Sequence, residues 1–389
     1  MLPVLVFFFS FLFVNGLANL YTNRKQSTAF QTVACFLILV LFFACRDLPV
    51  LNDTAHYYGY MWKLINSNGF ENRELLYYSD LDRFEAGFQI WSRFVNRYIW
   101  TDAYSMIFIS ALINSFALVY MARRYNKEKI ALTIFFLIGW SYMMYSGMRQ
   151  GYALVLFFIA IVQLEKKHYL WYYFWVLLAY TFHHSVAVTL LFPIVLMFKP
   201  TKKVLVVVAL CTVAVAAMIY PLLDQAGFSD SIYYRVNINR LFPPIAATLN
   251  FLLDAFFVFI AWKLHKDYHT ATLSRTMAWS WVVSLCFSAI AIPFLVLGRV
   301  AAYWSIFIYI GFVHQYIQAK KMQAVTEIKN TSQHVAQRRI SPETWLVIAV
   351  VIYLAKLIVV ITFKNEWNHL VPYSFYDFEP GLHNWHFGY

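Results

Sequence analysis

The sequence predicts an all-α, polytopic integral membrane protein with about twelve transmembrane helices. Three observations predict it. Hydrophobic residues make up 61% of the 389 and charged residues only 13%, where a soluble domain carries roughly 25% charged and 45–50% apolar residues. Apolar runs recur along the whole chain, several of them near the roughly 17–25 residues that a spanning helix needs. Lysine and arginine concentrate in alternate connections between those runs, the asymmetry that marks cytoplasmic loops.

The predicted spans are Leu2–Leu20, Phe30–Cys45, Tyr104–Met121, Ile130–Tyr145, Gly151–Leu164, Tyr169–Phe182, Ser185–Phe198, Val204–Leu223, Ala246–Trp262, Met277–Leu297, Val300–Ile317 and Trp345–Phe363. The pair around His183 also reads as one broken or re-entrant unit. The apolar N-terminus has no basic stretch before it and reads as a first span, not as a signal peptide. The basic connections contain Arg24 and Lys25, Arg123 to Lys129, Lys166 and Lys167, Lys199 to Lys203, Lys263 to Arg275, and Lys320 to Arg339. Their alternation holds across all twelve spans and puts both termini outside. The chain then forms a single transmembrane domain over 1–389. Its large outer loop is 46–103, its second outer loop 224–245, its cytoplasmic loop 318–343, and its outer tail 364–389.

The formal net charge of +12 therefore belongs to loops at an anionic lipid surface and calls for no nucleic acid. The four cysteines, Cys35, Cys45, Cys211 and Cys286, lie in or beside apolar runs without paired spacing, so they read as small hydrophobes.

Polar residues at the predicted outer ends of apolar spans carry the functional signal. Arg149-Gln150, His183-His184 and Arg299 each fall between two strongly apolar runs. An arginine at membrane depth costs about 2.5–3.5 kcal/mol, and glycine or serine would build such a turn more cheaply. The ordinary reading is an interfacial anchor whose charge reaches the headgroups; the sharper one is a site. Asp254 and Lys356 lie inside spans, where a water-filled cavity or an opposite charge has to receive them. The outer segments add Arg46, Asp47, Asp53 and Tyr57, then Glu85 ahead of an amphipathic run, and Arg235 and Arg240. For the acids the ordinary reading is a solvated loop charge.

Familiar soluble chemistries are missing. The sequence has no phosphate-binding glycine loop and no dinucleotide fingerprint. It has no nucleophile elbow, and the adjacent His183-His184 pair lacks the spacing of a metal helix. Asp80-Leu81-Asp82 stands in a loop without the strands of a nucleotide-sugar transferase. No metal or cofactor is expected, and an outward-facing enzyme needs a donor already carried by the membrane.

Taken in order, Arg46-Asp47, Asp53 and Tyr57, then Glu85-Ala86-Gly87-Phe88, Met148-Arg149-Gln150, Phe182-His183-His184-Ser185, and Asn368 with Pro372-Tyr373 resemble the EpsG family of exopolysaccharide-synthesis membrane proteins. The resemblance runs over most of the chain. It implies a role similar to Wzy-type polymerases, which join oligosaccharide repeat units carried on undecaprenyl diphosphate, with a GT-C-like architecture and metal-independent glycosyl transfer. On that reading the partners are the lipid-linked oligosaccharide, membrane lipids and a chain-length regulator. Arg149 serves the leaving diphosphate, and Glu85, Asp53 and His184 compete as general base, a carboxylate being slightly favoured. Arg46, Asp47, Tyr57, Gln150, His183, Arg235, Arg240, Arg299, Asn368 and Tyr373 bind substrate. The family pattern needs one histidine where this chain has two. A flippase for the same lipid, an O-antigen ligase and a polysaccharide acyltransferase stay open beside the polymerase.

Overall fold

The computed structural model describes residues 2–51, 53–66, 84–227, 245–329, 340–363, 370–371 and 373–376. Arg235, Arg240 and Asn368 lie outside them, as does most of the second outer loop.

The described chain is all-α, with fourteen helices. They are α1 (Leu2–Ala18), α2 (Arg24–Ala44), α3 (Thr54–Asn66), α4 (Ala86–Tyr98), α5 (Ser105–Asn126), α6 (Ile130–Ser146), α7 (Met148–Glu165) and α8 (Tyr169–Tyr180). A 3-10 turn (His184–Leu191) leads into the short α9 (Phe192–Val195), and α10 (Lys202–Gln225), α11 (Ile245–Tyr268), α12 (Arg275–Ile290), α13 (Gly298–Lys329) and α14 (Pro342–Phe363) follow. Among the described residues, seven helices are long and apolar enough to cross a membrane, which makes this a polytopic membrane protein. The remaining predicted spans also fall on helical segments, shorter ones: α1, α6, α8, the His184–Val195 unit and α12.

Local chemistry sets the boundaries. Asn23, Thr201 and Ser274 accept backbone N–H bonds at the starts of α2, α10 and α12, each satisfying a donor that a helix start leaves open. Gly147 ends α6 and opens α7. A Cβ on Gly151 would lie 2.3 Å from the Met144 carbonyl oxygen, so glycine is what lets α7 fold back directly onto α6.

The core is a continuous apolar packing of α1, α2, α5, α6, α7, α11, α13 and α14. Phe7 stacks on Phe42 and Phe43 on Tyr145, with ring centres 3.7 and 3.6 Å apart. Buried polar side chains tie helices together. Asn126 donates to the Ile310 carbonyl, Trp281 to the Phe307 carbonyl, and Gln31 accepts the Ala131 N–H. Many large apolar residues nevertheless face outward, Leu37, Val207, Leu210 and Val351 among them, as a lipid-facing surface requires.

The two ends of the bundle differ. At one, the connections with the predicted cytoplasmic charge meet: Glu128 pairs with Lys321 and Arg24, Arg124 with Glu165, and Lys320 with Glu343. The other end gathers the α2–α3 loop, α4, the α6–α7 turn and the His183 break. Along one stripe α4 exposes Ile90, Phe94 and Tyr98 while burying Phe88, Ser92 and Val95, the division expected of a helix lying at an interface.

Arg46 holds this second end together. It is fully buried. Its guanidinium donates to Thr54 Oγ1 at 3.1 Å, to the Tyr145 carbonyl at 2.9 Å and to the Phe43 carbonyl, while its own carbonyl accepts from Tyr104. Arg46 also forms an isolated β-bridge with Phe375, and Asp47 takes the Ser374 hydroxyl while its N–H donates to the Ser374 carbonyl. Tyr373 stacks on Phe42 and donates to its carbonyl. The sequence suggests Arg46, Asp47 and Tyr373 as substrate-binding groups; the structure instead places them in a clamp that seats the chain's 373–376 segment on the end of α2. Bonds to a charged group contribute about 1.5–3 kcal/mol each. We expect Arg46→Lys to lower thermal stability markedly, as read by the melting temperature in detergent.

Candidate functional site

The site is built at the start of α7. Glu85 occupies the N-cap position of α4, but its carboxylate makes no cap bond there. It reaches across the fold instead: Arg149 Nη1 donates to Oε2 at 2.7 Å, and His183 Nδ1 donates to Oε1 at 3.1 Å. The Glu85 side chain is almost fully enclosed. Burial pushes its pKa upward, and the His183 and Arg149 contacts more than offset this, bringing it down to about 2. A carboxylate held this low accepts protons poorly. Glu85 therefore fits an anchoring role better than the general-base role that the sequence suggests.

Glycine makes this junction possible. The Gly87 N–H donates to the Thr181 carbonyl at 2.8 Å, pinning the first turn of α4 to the end of α8 two residues before His183. A Cβ on Gly87 would lie 2.2 Å from Thr181 Oγ1 and 2.8 Å from the Thr181 carbonyl oxygen. That contact involves backbone, so α4 would have to move. Gly87→Ala is accordingly expected to lower the melting temperature with the helical fold retained, checked by thermal scans and circular dichroism on the same preparation.

His183 has extended backbone (φ −159°) at the break before the 3-10 turn, which aims its ring at Glu85. His184 is exposed and packs on Tyr180, with ring centres 4.7 Å apart. Of the two histidines, His183 is the one in the site, contrary to the sequence-based choice of His184 as the acid–base group. A carboxylate only accepts, so His183 Nδ1 bears a proton, and the neutral form of the ring has Nε2 as its acceptor.

A cavity of about 390 Å³ opens beside this junction. Arg149, His183, Gln150, Asp53, Tyr57 and Arg299 all line it. Arg149 and Arg299 are each the second residue of a helix, α7 and α13, and each follows a Gly-initiated turn. Gln150 donates to the Arg299 carbonyl at 2.7 Å, locking the two helix starts together. The positive ends of both helix dipoles thus add to two guanidinium charges around one space. Arg149 also lies 4.7 Å from the centre of the Phe84 ring. Burial raises the pKa of the Tyr57 phenol above its ordinary value, and the adjoining Arg149 charge opposes this. Asp53 follows buried Leu51, whose φ of +69° is unusual for a branched residue. A residue held in that region costs about 1–3 kcal/mol, so the surrounding packing fixes the loop that delivers Asp53 to the cavity.

The structure thus assembles Glu85, Arg149, His183, Asp53, Tyr57, Gln150 and Arg299, and sets Arg46, Asp47, His184 and Tyr373 apart. It also reveals wall residues that sequence reasoning did not single out: Trp140, Tyr142, Asn250, Ser288 and Tyr309. Their only signal was the presence of polar atoms in apolar spans, which is too common to select them.

No curated protein and no solved structure shows a significant match to the chain. A family model does match, over residues 28–375. That range includes both helix starts, the Glu85 anchor and the clamped 373–375 segment, and the chain belongs to the EpsG family of polysaccharide-biosynthesis membrane proteins.

Proposed function

We propose that the protein is a polymerase that joins oligosaccharide repeat units carried on undecaprenyl diphosphate, by metal-independent glycosyl transfer. The observation that carries this is the cavity with Arg149 and Arg299 at two converging helix starts and His183 beside them. A leaving lipid diphosphate needs positive charge where negative charge develops, and arginine offers paired donors that stay charged. The acceptor hydroxyl needs a base within reach, and His183 Nε2 is the group we assign, with Asp53, which also lines the cavity, as the alternative. The hydroxyl oxygen attacks the anomeric carbon as its proton passes to His183. The bond from that carbon to the phosphate oxygen breaks, and the lipid diphosphate departs with the electron pair. Glu85 holds Arg149 and His183 in place.

The gathering of basic connections at the opposite end of the bundle supports an outward-facing site in the bacterial cytoplasmic membrane. It also supports about twelve spans, the shorter helices included, and the GT-C-like arrangement rests on the family resemblance.

Purified protein in lipid, given a synthetic lipid-linked repeat unit without nucleotide or added metal, should yield a ladder of repeat multiples. Transfer of a single unit to a different acceptor would indicate a ligase. A flippase is the second reading, favoured by the placement of Asp254 and Lys356 in the wall of the cavity. Absence of a ladder together with translocation of intact substrate across vesicles would establish it.

A further inference from the structure

The cavity does not end at the arginines. Its far wall is polar although it is made from apolar helices: Asp254 on α11, Ser288 near the end of α12, Tyr309 on α13 and Lys356 on α14. At 1.5 Å per residue, Asp254 lies about 14 Å along the axis from the start of α11, and Lys356 about 10 Å from the end of α14. Ionisable groups at such depth are costly and collect where they face a cavity.

Asp254 is buried, and its oxygens accept from Tyr309 Oη at 2.9 Å and Ser288 Oγ at 3.3 Å. Ser305 is a third hydroxyl partner, and a carboxylate has roughly four acceptor positions, so these hydroxyls do not exhaust it. Lys356 lines the same space from α14, so an acidic and a basic side chain share this wall. It offers strong acceptors beside an ammonium donor. Asn250 adds an amide to the same wall. Trp140 and Tyr142 add aromatic side chains to the same wall.

We propose that this deep end is a saccharide subsite, which takes a neutral pyranose of the lipid-linked substrate through its hydroxyls while the diphosphate stays at Arg149 and Arg299. This rests on the polymerase reading for the identity of the substrate. The ring's hydroxyls donate to Asp254 and accept from Lys356, and its apolar face packs on the aromatic wall. Asp254 is a specificity-determining residue: an acidic sugar in the same position would bring a second carboxylate against it.

The test is equilibrium binding to full-length protein in lipid nanodiscs, with two probes. One is the lipid-linked repeat unit extracted from producing cells that lack the protein; the other is sugar-free undecaprenyl diphosphate. Asp254→Asn should weaken the glycosylated probe at least tenfold and leave the sugar-free lipid within about twofold, as one lost charged hydrogen bond implies. Arg149→Ala should weaken both. If Asp254→Asn binds the glycosylated probe as the wild type does, or loses both probes equally, the subsite is refuted. Should Asp254→Asn fail to fold, Lys356→Met, which leaves the Tyr309 and Ser288 bonds intact, carries the same comparison. Binding needs no turnover. If the wild-type protein makes no polymer but still shows the glycan-specific loss, the polymerase reading fails and the subsite stands.

Discussion

Arg149→Ala is expected to lower polymer synthesis by about 10²–10³-fold, the loss seen when one preorganised donor to developing negative charge is removed. The guanidinium is held at 2.7 Å from Glu85 and 4.7 Å from the centre of the Phe84 ring at the first turn of α7. Its position is thus set before substrate arrives, and little reorganisation accompanies charge development in the leaving diphosphate. The alanine variant removes that charge and leaves the Glu85 carboxylate as an uncompensated negative group next to an anion site. It therefore loses attraction and gains repulsion. Arg149→Lys separates the two effects: it keeps a cation for Glu85 but loses the planar donor pair, and it should recover part of the rate. Synthesis from a lipid-linked unit, normalised to folded protein, measures both. Near-normal chain growth by Arg149→Ala would exclude the assigned role.

The membrane architecture was legible because lipid imposes a coarse rule that composition alone reveals. Each of the twelve apolar runs became helical, and the basic connections met at one end of the bundle. The site was legible in part. An arginine between two apolar runs is unusual whatever it does, so Arg149 and Arg299 drew attention for the same reason, while Arg46 entered with the polar outer segment. What separates them is long-range. Arg46 is consumed by Thr54, Phe43 and Tyr145, the last of these 99 residues away, whereas Arg149 and Arg299 face a shared space. The adjacent histidines were indistinguishable in sequence. The backbone break before the 3-10 turn sends one ring to Glu85 and the other to the surface. Asp254 and Lys356, about a hundred residues apart, meet only because α11 and α14 line the same cavity.

That division of the histidines gives the second large effect. His183→Gln should reduce turnover by about 10²–10⁴-fold, the usual contribution of general acid–base catalysis, and His184→Gln should stay within about twofold, since nothing in the site depends on its ring. The role of Glu85 is distinguished by stability as well as rate. Its folded pKa of about 2 lies below its usual 4.5. The stabilisation it provides is therefore fully present above about pH 4.5 and is lost as the pH falls toward about 2. Glu85→Gln should melt below the wild type at neutral pH, and the gap should narrow through that acid window. If the gap instead stayed constant down to pH 2, the carboxylate would not be held by Arg149 and His183. The variant should also lose much of its turnover at neutral pH, because the amide cannot fix the His183 proton on Nδ1 by charge or neutralise Arg149. Loss of rate in His183→Gln with normal binding of undecaprenyl diphosphate would assign the histidine to proton transfer. Equal loss of binding would place it in the diphosphate site and leave Asp53, which also lines the cavity, to take the acceptor's proton.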